Sequence, residues 1–370
     1  MRYYLVAGEA SGDLHGANLM KALKELDSQA EFRYFGGDLM QAEGGVLAKH
    51  YADMAFMGFV EVVANLRTIL NNLKACKQDI LAFKPDVLVL IDFPGFNLKI
   101  APFAKEHGIK VCYYISPKVW AWNQKRVLKI KRVVDHLFCI LPFEVDFYKK
   151  WHMEVDYVGN PLLDAVSAFT PDHAFLKNNS LEYKPIIALL PGSRKQEITH
   201  LLPLMITVAK QFSAYHFVIA GAPSFEVSFY QQFFTAGMDL PVVFSSTYDL
   251  LINSRAAIVA SGTATLETAL FNVPQMVVYK GNPVSIGIAR MLIKIRFISL
   301  VNLIMDRQIV KELIQADYNE VAVKTELNLI LEDGDYRYSM LNNYDELDVR
   351  MGKPGASAKT AALIVKYTKK

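Results

Sequence analysis

Four short segments combine residue types that could hold a phosphate group and move a proton. Gly8-Glu9-Ala10-Ser11-Gly12-Asp13 is built of small residues, which let backbone N–H groups come close to a ligand, with Glu9, Asp13 and His15 alongside. It lacks the G-x-G-x-x-G spacing and the later acidic residue of a dinucleotide site. In Asp92-Phe93-Pro94-Gly95-Phe96-Asn97 a carboxylate follows a buried apolar run and could take a proton from a hydroxyl. Asn97 is the better candidate to cap the helix that follows, which leaves Asp92 free. Leu190-Pro191-Gly192-Ser193-Arg194 offers a backbone cradle at Gly192 and Ser193, and in Arg194 a forked cation suited to phosphate oxygens. Ser261-Gly262-Thr263-Ala264-Thr265-Leu266-Glu267 reads as a helix start whose N–H groups and dipole could receive a diphosphate. Glu267, one turn further on, could accept from both hydroxyls of a ribose. Each segment alone also reads as an ordinary tight turn, cap or solvated side chain. It is their order along the chain that favours a ligand site.

The His residues are isolated and no H-E-x-x-H run occurs, so neither a metal nor another cofactor is expected. A departing diphosphate would then be neutralised by helix ends and basic side chains.

These loops need elements to carry them, and the chain reads as strands alternating with helices. Arg2–Ala7 predicts a strand, followed by the turn Gly8–Asp13 and a helix to Leu26 with Leu14, Ala17, Leu23 and Leu26 on one side. Further strands are expected at 32–35, 87–91, 111–115 and 137–141, and several are continuous apolar runs typical of strands buried on both faces. The polar stretch 169–184 reads as a linker. A second series follows with strands at 186–190, 217–220, 256–260 and 275–279. Alternation of this kind implies right-handed crossovers and doubly wound parallel sheets, with ligands gathering at the carboxyl ends of the strands. The expected division is an α/β domain over 1–168, a second over 185–350, and a helix at about 355–370 that packs back on the first. Two such halves facing each other would hold a ligand in the cleft between them.

Composition narrows the class. A hydrophobic fraction of 52% supplies two cores, and a net charge of +3 gives no ground for a nucleic-acid partner. Positive charge is nevertheless concentrated: Lys118, Lys125, Arg126, Lys129, Lys131 and Arg132 lie in one acid-free stretch, and Lys280, Arg290, Lys294 and Arg296 in another. Such patches suit phosphates or an anionic lipid surface as well as water. Cys76, Cys112 and Cys139 have neither pairing nor metal spacing, which fits a reducing cytoplasm. The first residues are too short an apolar run for a signal peptide. The longest apolar candidate, 284–305, is broken by Arg290, Lys294 and Arg296, so no membrane span is expected. In the segment 57–73, Phe59, Val62, Val63, Leu66, Ile69, Leu70 and Leu73 recur at helical spacing. That stripe reads either as core or as a face that lies on a membrane.

The motifs VAGEASGD, DFPGFN, SPKVWAWNQKRV, LPFE, LLPGSR, ASGTATLE and VKELIQ, in this order from about residue 5 to about 316, resemble the lipid A disaccharide synthase family. The resemblance implies an inverting, metal-independent glycosyltransferase of the GT-B fold, with two Rossmann-like domains facing a central cleft. It implies transfer from UDP-2,3-diacylglucosamine to the 6-hydroxyl of 2,3-diacylglucosamine 1-phosphate (lipid X), giving UDP and a β-1,6-linked disaccharide 1-phosphate. Asp92 would be the general base, with Glu9 or His15 as the alternative. Gly192, Ser193 and Arg194 would meet the donor diphosphate, as would the N–H groups of Ser261, Gly262 and Thr263. Glu267 would take the ribose, and Asn302, Arg307 and Gln315 would line the donor site, although Val301 stands where a Pro is expected. Ser11, Gly12, Asp13, Asn97 and Trp120 would serve the acceptor side; for Trp120 a packing role is an equal reading. The implied setting is cytoplasmic, peripheral to the inner face of the cytoplasmic membrane, as a monomer or a homodimer. A UDP-sugar epimerase, a non-catalytic nucleotide-sugar or lipid binder, and a transferase acting on a polyprenyl-linked peptidoglycan precursor are the alternatives.

Overall fold

A computed structural model of the chain describes residues 1–54, 66–234, 239–281 and 296–369. It divides into two compact units, Met1–Asp164 with Lys353–Lys370, and Ala165–Gly352.

The first unit is a parallel sheet of β1 (Arg2–Ala7), β2 (Glu31–Gly36), β3 (Val46–His50), β4 (Val87–Ile91), β5 (Lys110–Tyr114), β6 (His136–Cys139) and β7 (Asp156–Tyr157). The spatial order is β3-β2-β1-β4-β5-β6-β7. Alternate residues feed different layers. Tyr4, Val6, Leu88 and Leu90 pack with Cys76, Ile80, Ile100 and Val127. Tyr3, Leu5, Val87 and Val89 pack with Leu19, Met20 and Leu23, and with Ala361 and Ile364 of the helix Ala356–Thr368. That helix lies against the helix Ala10–Leu26. It is fastened at its start by Asp164, which accepts from the N–H of Gly355 and, at 3.4 Å, of Ala356. At its other end the Tyr367 ring stacks on His136 at 3.8 Å between centroids.

The second unit is a parallel sheet of β8 (Ile186–Leu190), β9 (His216–Gly221), β10 (Val242–Phe244), β11 (Ser254–Ala260), β12 (Gln275–Tyr279) and β13 (Lys311–Ile314), in the order β10-β9-β8-β11-β12-β13. In both sheets the chain leaves the second-wound side next to the strand it started from, so β1 meets β4 and β8 meets β11. These are the switch points at which helices diverge and a crevice opens at the carboxyl ends. The four segments singled out above follow β1, β4, β8 and β11.

Three expectations are corrected. The first helix begins at Ala10, not after Asp13, and its buried side is Gly12, Gly16, Ala17, Leu19, Met20 and Leu23, while Leu14 and Leu26 are exposed. Gly12 lets that side sit close to β1 at Ala7 and Gly16 makes room for Met40, which turns the leucines outward. The stretch 169–184 is not a linker: Phe175 and Leu181 are buried in the second core beside Ile186 and Val218. The strands β3, β7, β10 and β13 went unpredicted because they lie at the sheet edges, where burial is partial and no continuous apolar run marks them.

Candidate functional site

In the first unit the site is a strained corner at the β1–β4 switch. Asp92 and Phe93 both adopt the left-handed conformation, with φ of 43° and 48°. Such residues cost about 1–3 kcal/mol each and persist only where surroundings enforce them. Here the enforcement is visible. The Asp92 N–H donates to the Tyr114 carbonyl at 3.0 Å. The Asp92 carbonyl accepts from the Tyr113 hydroxyl at 2.5 Å and from Asn97 Nδ2 at 2.8 Å. The Phe93 ring fills the place where a side chain on Gly8 would lie, since a Cβ there would stand 2.2 Å from Phe93 Cδ1. With its backbone pinned, Asp92 holds a half-buried carboxyl whose pKa is raised, first by burial and further by the charge of Glu9. The Lys118 ammonium and the Phe93 N–H act in the opposite direction. The result is a carboxylate that is a stronger base than an exposed one, with a cation nearby to keep it ionised.

The remaining first-unit residues divide. Glu9 is exposed at the start of the first helix and makes no capping bond. Ser11 is exposed, and Gly12 packs under Ala7. Asp13 faces inward: its carboxylate accepts from the N–H groups of Gly37, Leu39 and Met40 at 2.7, 3.0 and 3.1 Å, and so holds the start of the helix Asp38–Ala42. His15 is half-buried, edge-on to Tyr114, and burial lowers its pKa to about 4, leaving it neutral at pH 7. Asn97 does not cap a helix. Phe93 occupies the cap position, and Asn97 lies one turn inside, fully buried, donating to the carbonyls that end β1 and β4. Trp120 is buried, with its indole N–H donating to Glu144 at 3.1 Å and its ring edge-on to Phe143. Asn97 thus braces the corner through its amide N–H groups, and Trp120 takes the packing role that was its equal reading.

In the second unit the loop after β8 turns at Gly192, with φ of 109°. The N–H groups of Ser193 and Arg194 both point at Glu197 Oε2, at 3.2 and 3.3 Å, and the exposed Arg194 guanidinium reaches Glu197 Oε1 at 3.4 Å. The spacing from Arg194 to Glu197 is that of a capping box. After β11, Gly262 and Thr263 are exposed, but Ser261 is not a free donor. Its N–H bonds the Val278 carbonyl at 3.0 Å and its hydroxyl the Ile298 carbonyl at 3.0 Å. Glu267 is half-buried, and burial raises its pKa; Tyr248 donates to Glu267 Oε1 at 2.9 Å and opposes the rise. Phe169 and Phe271 pack against the Tyr248 ring.

The late segment is a support. Asn302 is fully buried and all its amide capacity is used: Nδ2 donates to Val310 O and Glu312 Oε1, and Oδ1 accepts from Ile309 and Val310. Direct contact of Asn302 with a ligand is therefore corrected. Val301 is buried in the helix Leu300–Met305 beside it. Arg307 pairs with Glu346 on the surface. Gln315 brackets Gly281, accepting from its N–H and donating to its carbonyl, both at 3.2 Å. Asp333 pairs with Arg255. Glu144, Glu197, Tyr248 and Glu312 carry much of this geometry without having been singled out, and Lys118 was noted only as part of a basic stretch. Only Glu197 had a usable sign, its three-residue spacing from Arg194.

Of the apolar stripe, Phe59, Val62 and Val63 lie outside the described residues. Leu66 and Leu70 of the helix Leu66–Phe83 are 51% and 54% exposed, while Ile69 packs partly on the core. Among the described residues no helix is long and apolar enough to cross a membrane.

The sequence model of the lipid-A-disaccharide synthetase family matches residues 3–363. The chain belongs to that family. The lipid-A-disaccharide synthase of Syntrophus aciditrophicus is 39% identical over 99% of this chain and 97% of its own. That of Myxococcus xanthus is 37% identical over 98% and 97%. Membership makes the chain a glycosyltransferase of lipid A biosynthesis. Among solved structures, a Neisseria meningitidis UDP-GlcNAc 2-epimerase bound to UDP-GlcNAc superposes with TM-score 0.67 at 11% identity, covering all of both chains. The glycosyltransferase of kitacinnamycin gives 0.66 at 11%, covering 99% of this chain and 98% of that one. At such identities these neighbours bear on the fold, which is GT-B.

Proposed function

We propose that the chain transfers 2,3-diacylglucosamine from UDP-2,3-diacylglucosamine to the 6-hydroxyl of 2,3-diacylglucosamine 1-phosphate, releasing UDP. The observation that carries the reading is the Asp92 corner. It is a strained, backbone-clamped carboxylate of raised basicity at a switch point, in a family of lipid A glycosyltransferases. Asp92 accepts the 6-hydroxyl proton as that oxygen attacks the anomeric carbon from the side opposite UDP. The anomeric C–O bond to the diphosphate breaks and the electron pair leaves with UDP. Arg194 and the exposed backbone at Gly262 and Thr263 offer charge and N–H groups to that diphosphate. Glu267, steadied on one oxygen by Tyr248, offers the other to the ribose. Acceptor activation thus falls to the first unit and donor binding to the second. Gln315 and Asn302 act by holding backbone.

Incubation with both lipids in detergent and EDTA tests the reaction, with products read by mass spectrometry. Disaccharide 1-phosphate and equal UDP, formed only when both lipids are present, is the expected result; UDP release without acceptor would favour an epimerase-like reaction. Asp92→Asn is expected to lower turnover by about 10²–10⁴ with UDP binding retained. An unchanged rate would move the base to Glu9 or His15.

The substrates reside in a membrane, and the exposed Leu66 and Leu70 support peripheral docking on its cytoplasmic face. The double substitution Leu66→Ser, Leu70→Ser is expected to weaken binding to anionic vesicles without lowering thermal stability. Loss of stability instead would make this face part of a core or of a homodimer interface.

A further inference from the structure

A group of cations beside the Asp92 corner is not used by the mechanism above. Arg126 and Lys129 stand three residues apart, with Arg132 three further on, so the helix Val127–Val133 and the turn before it present them on one side. The helix Pro94–Glu106, which starts directly after Asp92 and Phe93 and carries Lys99, packs against that helix. Arg126 rests its guanidinium on the Trp122 ring, 4.7 Å from the centroid. Arg126 and Lys129 are half-buried, and among the described residues none of these four cations has a carboxylate within ion-pair distance. Burial lowers the pKa of Lys129 first, and the charges of Arg126, Arg132 and Lys99 lower it further, so the group is crowded enough to repel itself. It also lies within electrostatic reach of the reaction corner, because the helix that carries Lys99 begins there. The Arg126 charge acts on the Tyr113 hydroxyl, and that hydroxyl bonds the Asp92 carbonyl. Cations held together without a counter-charge are stabilised by an anion brought from outside.

We propose that Arg126, Lys129 and Lys99 are the seat of the acceptor's phosphate monoester, anchoring the sugar so that its far hydroxyl meets Asp92. The proposal rests on the acceptor reading given above. A planar guanidinium suits two phosphate oxygens at once, and the flanking ammonium groups supply the remaining charge. The same chemistry could come from phospholipid headgroups, and the test separates the two sources.

Equilibrium binding of 2,3-diacylglucosamine 1-phosphate and of its dephosphorylated counterpart is measured in neutral detergent, for the whole chain and for Arg126→Met, Lys129→Met. The unsubstituted protein is expected to prefer the phosphate-bearing lipid by roughly ten- to hundred-fold, from one or two charged hydrogen bonds. The double variant is expected to lose that preference while binding UDP unchanged, and Arg126→Lys, Lys129→Arg to keep most of it. The charge-preserving pair guards against loss through misfolding. A preference that survives the double Met variant overturns the seat and leaves the acceptor reading standing. No preference in the unsubstituted protein overturns both. A variant that keeps the preference but no longer binds phosphatidylcholine vesicles containing phosphatidylglycerol assigns the cations to headgroups and overturns the proposal.

Discussion

At the scale of single residues, Asp92 joins a local cost to a proposed chemical use. Its folded pKa is raised by burial, so the folded protein holds that proton more tightly than the unfolded chain does. Stability then falls as pH rises from the unfolded carboxylate value of about 3.9 to the folded value, and the loss persists above it. Asp92→Asn removes this burden and keeps a residue type that tolerates the left-handed backbone. The variant is expected to melt higher than the unsubstituted protein at pH 8 and equally at pH 3. A lower melting point at pH 8 would mean that the carboxylate's contacts outweigh its burial. Asp92 was legible in the sequence because it ends the continuous apolar run Val87–Ile91. Asn97 and Asn302 were not. An amide reads as a ligand group when its partners are unknown, and theirs include Val6, 91 positions away in sequence, and the backbone of Val310 just before β13. Asn302 inverts most sharply, because full burial makes every one of its hydrogen bonds internal.

Elements transmit the same constraint. The motif that runs from Ser116 through Trp122 is fixed by a carboxyl it does not contain. Glu144, at the start of the helix Phe143–Lys149, accepts from Trp120 Nε1 and from the N–H groups of Ile140 and Leu141 at 3.3 and 3.0 Å. Burial outweighs those bonds and lifts its pKa to about 7. Cys139, Tyr148 and Tyr157 are the other titratable groups that feel its charge, and burial keeps each of them protonated at that pH. Trp120 emission, read in a Trp122→Phe, Trp151→Phe background, is therefore expected to titrate near pH 7, and Glu144→Gln to abolish the step. A flat profile would show Glu144 charged throughout. Central strands were readable because both faces are apolar, and the loops after them because small residues and charges interrupt that run. The carboxyls at 144 and 312, by contrast, look like ordinary helical or edge residues until packing brings their partners.

At the scale of the whole molecule, the first unit takes its last helix from the far end of the chain. Ile364 is fully buried among Leu19, Leu23 and the β1–β4 side chains. Ile364→Ala is expected to cost about 2–5 kcal/mol, seen as earlier unfolding of the first unit in urea while the second holds. A single transition shifted as a whole would mean that the two units unfold together. The division into two α/β halves could be read from the gap in the strand pattern near residue 170. Its exact seam could not, because Phe175 and Leu181 sit in a stretch whose polarity masks two core residues.

The returning helix also sets an order in time. On the ribosome, residues 1–164 emerge first, yet one face of their sheet stays only partly covered, by the helix Ala10–Leu26, until residues 356–368 have been made. The second unit, contiguous in the chain, can close in the meantime. A chain stalled or clipped before Gly355 would therefore show chaperones and proteases an apolar patch, beside the helix Ala10–Leu26, on the very unit that carries Asp92. Synthesis through the final helix becomes the condition for a durable first unit, and unfinished copies mark themselves for removal.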